Sequence, residues 1–135
     1  MRSFHILMVI AAFGIVAMLG LQLLIPAGPP PKITVEVTVP ELSEIAARGK
    51  LTFDTHCQEC HGANAGGSDK GPPLVHRIYH PDHHADGAFL LAVKNGVRKH
   101  HWPFGDMPPR PEVSDSEAGE IVVYVRELQK ANGIF

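Results

Sequence analysis

Cys57-Gln58-Glu59-Cys60-His61 holds both cysteines of the 135-residue chain, and a histidine follows the second directly. On a helix, positions i, i+3 and i+4 share a face, so the two sulfurs and the imidazole project to one side. Other uses of paired cysteines fit poorly. A structural zinc site takes four Cys or His ligands, usually from two knuckles, and no second cysteine pair exists. A thioredoxin-like redox pair needs a βαβ context that the flanking sequence lacks. A disulfide across two intervening residues would close too small a loop to add much stability.

The C-x-x-C-H spacing is instead that of covalent c-type haem attachment. The thiols of Cys57 and Cys60 add to two vinyl groups, and His61 binds the iron. A second axial ligand has to come from further along the chain. Met1, Met8 and Met18 lie in or before an apolar N-terminal segment, which leaves Met107 as the one remaining thioether. It sits in Phe104-Gly105-Asp106-Met107-Pro108-Pro109, where Gly105 permits a turn and the prolines stiffen the loop. A lone Met ordinarily reads as core packing. Beside a haem motif it reads as a ligand, because His/Met is the usual cytochrome c pair. His100 and His101 are its rivals.

Upstream, Phe4 to Ile25 is almost wholly apolar, and Gln22 is the one polar side chain between Ile6 and Ile25. Twenty such residues make a helix of about 30 Å, the hydrocarbon thickness of a bilayer. The run is longer than a signal-peptide core, and Ile25-Pro26-Ala27 is a poor cleavage site. Residues 1–25 are therefore expected to be an uncleaved transmembrane signal anchor. A buried core helix is excluded, because the remaining chain is too short to wrap a helix apolar on every face. Residues 26–40 follow as an extended, Pro-rich tether. Within it Ile33-Thr34-Val35-Glu36-Val37-Thr38-Val39 alternates in a strand pattern that has nothing obvious to pair with. It either lies along the domain surface or docks on a partner.

Residues 41–135 form the folded part. Ser114-Asp115-Ser116-Glu117 is a capping box. Ile121, Val122, Val125 and Leu128 continue it at helical spacing until Asn132-Gly133. A middle helix is expected from Asp86 to Asn95, with Phe89, Leu90 and Val93 inward and Gly96 as its stop. Gly62 to Asp69 reads as a loop. The formal net charge of −2 gives no electrostatic footprint for nucleic acid.

On these residues the stretch 41–135 resembles a class I cytochrome c. Gly49 and Phe53 precede Cys57 by the family's spacing, and Tyr124 resembles the aromatic that its C-terminal helix sets against them. Gly71-Pro72-Pro73-Leu74 resembles the family's Gly-Pro-x-Leu, whose proline carbonyl accepts a hydrogen bond from the proximal imidazole. Carried over, that role falls to Pro72. The resemblance implies an all-α class I cytochrome c fold around one covalent haem c, with Cys57, Cys60, His61 and Met107 as its attachment and ligands. It implies electron transfer rather than enzymatic turnover. Arg77, Tyr79 and Trp102 stand near where the family places donors to the haem propionates, although their spacing departs from its pattern.

Six histidines, His76, His80, His83, His84, His100 and His101, crowd about 26 residues. They read as solvated loop residues, with a copper site as the alternative. The chain as a whole is expected to be single-pass in a bacterial inner membrane. Its N-terminus would be cytoplasmic and its haem domain periplasmic, since haem is attached outside the cytoplasm. Expected partners are membrane lipid through the N-terminal helix, and membrane redox proteins: a quinol-oxidising complex, a terminal oxidase or another oxidoreductase. A haem-based small-ligand sensor or enzyme, and a copper-handling cytochrome, are the other readings.

Overall fold

The computed structural model describes Gly28 and residues 31–135. The anchor expected over residues 1–25 lies outside them. Among the described residues, no helix is long and apolar enough to cross a membrane.

Among the described residues, four α-helices carry and flank the Cys57–His61 motif: α1 (Glu44–His56), α2 (Gln58–His61), α3 (Asp86–Asn95) and α4 (Asp115–Ala131). Helix α1 starts where Ser43 Oγ accepts from the Ala46 amide. Glu127 on α4 holds the same Ser43, through its amide at 3.0 Å and its hydroxyl at 2.7 Å. One residue thus caps α1 and ties it to α4. The expected capping box opens α4, with Ser114 Oγ accepting from Glu117 N and Glu117 Oε2 accepting from Ser114 N. Its two donors would otherwise be unpaired at the helix start.

Helices α1 and α4 cross at Gly49. A Cβ there would lie 2.0 Å from the Glu120 carbonyl oxygen, so only glycine lets the two backbones approach this closely. Four residues on, Phe53 meets Tyr124 edge-on, with ring centroids 5.5 Å apart at 61°. Both are fully buried, and Leu128 and Val125 complete the floor of the core. Gln129 is buried among them, and its amide donates to the Leu74 carbonyl at 2.8 Å. That bond satisfies an otherwise costly polar group and fastens the 71–75 strip to α4.

Helix α3 runs over Asp86–Asn95 and stops at Gly96, whose φ of +73° is the left-handed conformation glycine allows. Its inner face is Phe89, Ala92 and Val93. Leu90, expected to point inward, is instead 39% exposed, and Leu91 is 59% exposed. The stripe at i, i+3 and i+4 already fills the inward arc, so a residue one step round the helix is turned out.

The alternating stretch 33–39 pairs with no strand among the described residues, yet it does not hang free. Ile33 N donates to Ser68 O at 3.2 Å, and Val35 N to Gly66 O at 2.8 Å. Asn132 brackets Thr38, accepting from its amide at 2.9 Å and donating to its carbonyl at 2.8 Å. Ile33, Val35 and Val37 are half-buried while Thr34, Glu36 and Thr38 are exposed. Of the two placements left open, the segment lies along the domain, and its period-two pattern is spent on that groove.

Gly49→Ala should lower the unfolding free energy of the holoprotein by about 1–3 kcal/mol, the usual cost of overpacking. Gly119→Ala, on open helix surface with nothing within 4 Å of the added Cβ, should raise it by about 0.5–1 kcal/mol. Urea midpoints of the two variants check both.

Candidate haem site

The motif sits on a bend. Cys57 closes α1, its amide bonded to Phe53 O, and the short helix α2 carries Cys60 and His61. Gly62 (φ +74°) then turns the chain sharply enough for Gly67 N to reach His61 O at 2.6 Å. A Cβ on Gly62 would meet Gly67 O at 2.1 Å. Ser68 and Gly71 pack over the Cys60 backbone and lead the chain back to Pro72.

His61 is buried, and its Nδ1 donates to the Pro72 carbonyl at 2.9 Å. The lone pair left to the ring is therefore that of Nε2. Burial holds the imidazole below its ordinary value, with the Pro72 bond acting weakly in the opposite sense, so the ring is neutral and able to ligate a metal. The buried Cys57 thiol is pushed up to about 11, chiefly by desolvation, while Cys60 is half-buried.

Beside this motif lies an apolar cavity of about 370 Å³, bordered by Phe53, Cys57, His61, Leu74, Phe89, Val93, Phe104 and Met107. A second hollow of about 100 Å³ is bordered by Cys60, Gly71 and Arg110. His61 and Met107 border both hollows, whereas His100 and His101 border only the larger. Helix α3 and the Met107 loop close the cavity opposite the motif. Met107 is held by an antiparallel bridge to Val97, with both N–H···O distances 2.9 Å. Arg110 N donates to Val93 O at 2.7 Å just beyond the two prolines.

The glycine that shapes this loop is Gly96, not Gly105. A Cβ on Gly96 would lie 2.5 Å from Met107 O, whereas Gly105 has open space around it and no left-handed backbone. Tyr79 and Trp102 both border the cavity and bond to each other, Trp102 Nε1 donating to Tyr79 Oη at 3.1 Å. Burial raises the Tyr79 phenol, so it stays protonated. Arg77 is exposed and does not border the cavity. The cations that do lie at the two hollows are Lys99 at the larger and Lys70 and Arg110 at the smaller, none of which stood out from the sequence. Arg126 also went unread. It reaches from α4 to the carbonyls of Tyr79 and His84 and to Asp86, stitching the histidine-rich turn to the core.

Such a crevice suits a flat apolar group gripped along one edge by two thiols. It offers an imidazole, a thioether and mostly hydrocarbon walls, with no carboxylate on its border. The class this defines is a small helical haem-binding domain. The family model for cytochrome c matches residues 46–129, and the chain belongs to the cytochrome c family. No curated protein matches it. Its cofactor is the family's covalently bound c-type haem, and the residues lining the crevice fit that group.

His76 and His101 are both held below the ordinary imidazole value of 6.5, first by desolvation and then by their neighbours, Arg77 for His76 and the other rim histidines for His101. The unfolded chain therefore binds protons that the folded one refuses. Stability from these groups is complete above that value and declines as pH falls below it. Denaturant midpoints measured between pH 7.5 and 5 should decrease monotonically.

Proposed function

We propose that the chain is a one-electron carrier in which a single haem c is attached through Cys57 and Cys60, with His61 and Met107 as axial ligands. The family supports the coarser part of this reading, a haem-based electron carrier. The observation that carries the finer part is that His61 and Met107 alone among the candidate ligands border both hollows. When bound, haem iron supplies a reversible one-electron couple, and Met ligation raises its potential.

The polypeptide does the rest. Pro72 fixes the His61 ring through Nδ1 and strengthens Nε2 as a donor. The Val97 bridge and the two prolines hold the Met107 loop in one arrangement, so a weak thioether ligand is presented without an ordering cost at each turnover. Phe53, Leu74, Phe89 and Val93 keep water from the crevice. Trp102 and Tyr79 present polar groups at its border.

Residues 1–25 serve as the anchor of a single-pass protein in a bacterial inner membrane, its N-terminus cytoplasmic and its haem domain periplasmic. The domain passes electrons between membrane redox proteins, such as a quinol-oxidising complex and a terminal oxidase, through a small transient interface. With Ile33 to Thr38 laid on the domain, the freely extending part of the tether is shorter than the whole of residues 26–40.

Met107→Ala should abolish the far-red Met–iron absorbance band, lower the reduction potential and open the reduced protein to carbon monoxide. Retention of the band would place the ligand elsewhere. His100→Ala should leave the band in place. Cys57→Ala and Cys60→Ala should each leave haem attached by at most one bond, read as weakened haem staining on a denaturing gel.

A further inference from the structure

A second cluster of ligating side chains stands at the mouth of the crevice. His83 and His84 come from the turn after Tyr79, and His101 from the loop between Val97 and Met107. One ring nitrogen from each of the three lies within 4.8 Å of the others. The Nε2 atoms of His83 and His101 are 3.3 Å apart. Two nitrogens bound tetrahedrally to one ion at 2.0–2.1 Å stand roughly 3.3 Å from each other, so this pair is already at ligand spacing. A hydrogen bond between two neutral rings would account for that distance alone. It does not account for the third ring.

His84 is oriented as a ligand. Its Nδ1 donates to the Ile78 carbonyl at 2.8 Å, which fixes the tautomer and leaves Nε2 unprotonated. Bonding of the remote N–H to a backbone carbonyl is the usual arrangement around metal-bound histidines. His100 is held in the same way, Nδ1 to Arg98 O at 2.9 Å, and its ring centroid is 4.3 Å from that of His101.

The two loops are braced before any ion arrives. His83 N and His84 N both donate to His80 O, at 2.9 and 2.8 Å, closing the turn. Arg126 donates to the carbonyls of Tyr79 and His84 from α4, and its guanidinium lies 4.9 Å above the Phe89 ring. Lys99 N donates to Asp106 Oδ1 at 2.9 Å, which pins the opposite loop. Solvated loop histidines need none of this support. A site whose ligands are held by the surrounding structure binds without having to order them.

We propose that His83, His84 and His101 form a tri-imidazole site for a late first-row transition-metal ion, with copper(II) held most tightly. Imidazole donors suit copper and zinc, and the order of divalent affinities places copper(II) above zinc(II) at a nitrogen site. The site is separate from the haem ligands, since His83 does not border the cavity. It rests on the axial assignment above in one respect, that Met107 and not His101 takes the iron, which the far-red band of the wild-type protein reports separately. His84 and His101 border the cavity as well as the cluster, so an ion there lies beside the cofactor crevice.

The test is a titration of the oxidised full-length holoprotein with copper(II), and separately with zinc(II), followed by dialysis and elemental analysis. The wild-type chain should retain one copper per polypeptide, copper should displace zinc, and the copper EPR signal should carry nitrogen hyperfine structure. His83→Ala and His101→Ala should each weaken binding by at least about 10–100-fold, the loss that disturbing even an outer-shell partner of a ligand brings. His83→Ala should keep the wild-type visible spectrum and helical circular dichroism, which separates loss of the site from loss of the fold. Failure of the wild-type protein to retain either metal would overturn the proposal, as would retention by the two variants equal to that of the wild type.

Discussion

The crossing of α1 and α4 at Gly49 is the constraint on which the rest of this molecule depends. With a Cβ position only 2.0 Å from the Glu120 carbonyl, the helices meet backbone to backbone. That contact sets the height of Phe53 and Tyr124, which sit one turn along each helix; Phe53 makes part of the floor of the crevice and Tyr124 packs behind it. Cys57 lies one further turn along α1, so the position of its sulfur follows from the same contact. A domain of this size buries little core by itself. A bulky apolar cofactor against that floor supplies what the polypeptide lacks.

The opposite wall of the crevice is built differently. No long helix supports Met107. A two-residue bridge, a left-handed Gly96 and a pair of prolines hold it against α3. Rigid backbone replaces packing there, which suits the weak thioether ligand proposed for that wall. The His61 side is firmer: the ring is buried, bonded at Nδ1, and carried on a helical turn whose exit is shaped by Gly62 and Gly67. The two sides therefore differ in stiffness for a chemical reason. Under the proposed ligation, the His61 side holds a strong donor to be oriented and the Met107 side a weak donor to be kept in place.

Arg126 links the core to the histidine-rich rim. It bonds Tyr79, His84, Asp86 and Gln129 from one guanidinium, and through Gln129 the network continues to Leu74 beside the crevice. The loop bearing His83 and His84 is thus as well anchored as the wall of the haem site. Buried polar networks of this kind fix a single arrangement when every member is paired. The rim histidines accordingly have a shared geometry that their crowding in sequence did not reveal.

By itself the sequence determined where two helices begin or end. Ser114 to Glu117 had to start one and Gly96 had to end another, because local backbone geometry decides such matters. The Gly49, Phe53 and Tyr124 relation was legible only through likeness to a family, since nothing local pairs residues 71 positions apart. Tertiary structure alone decided the remainder. It turned Leu90 outward because Ala92 completed the inner stripe, moved the turn-forming role from Gly105 to Gly96, and left Arg77 off the crevice while bringing Lys99 to it and Arg110 to the hollow beside it. It also laid the alternating 33–38 segment along a groove that neither of its ends announces. These outcomes depend on which surfaces meet when the helices close, and that is a property of the assembled chain rather than of any window along it.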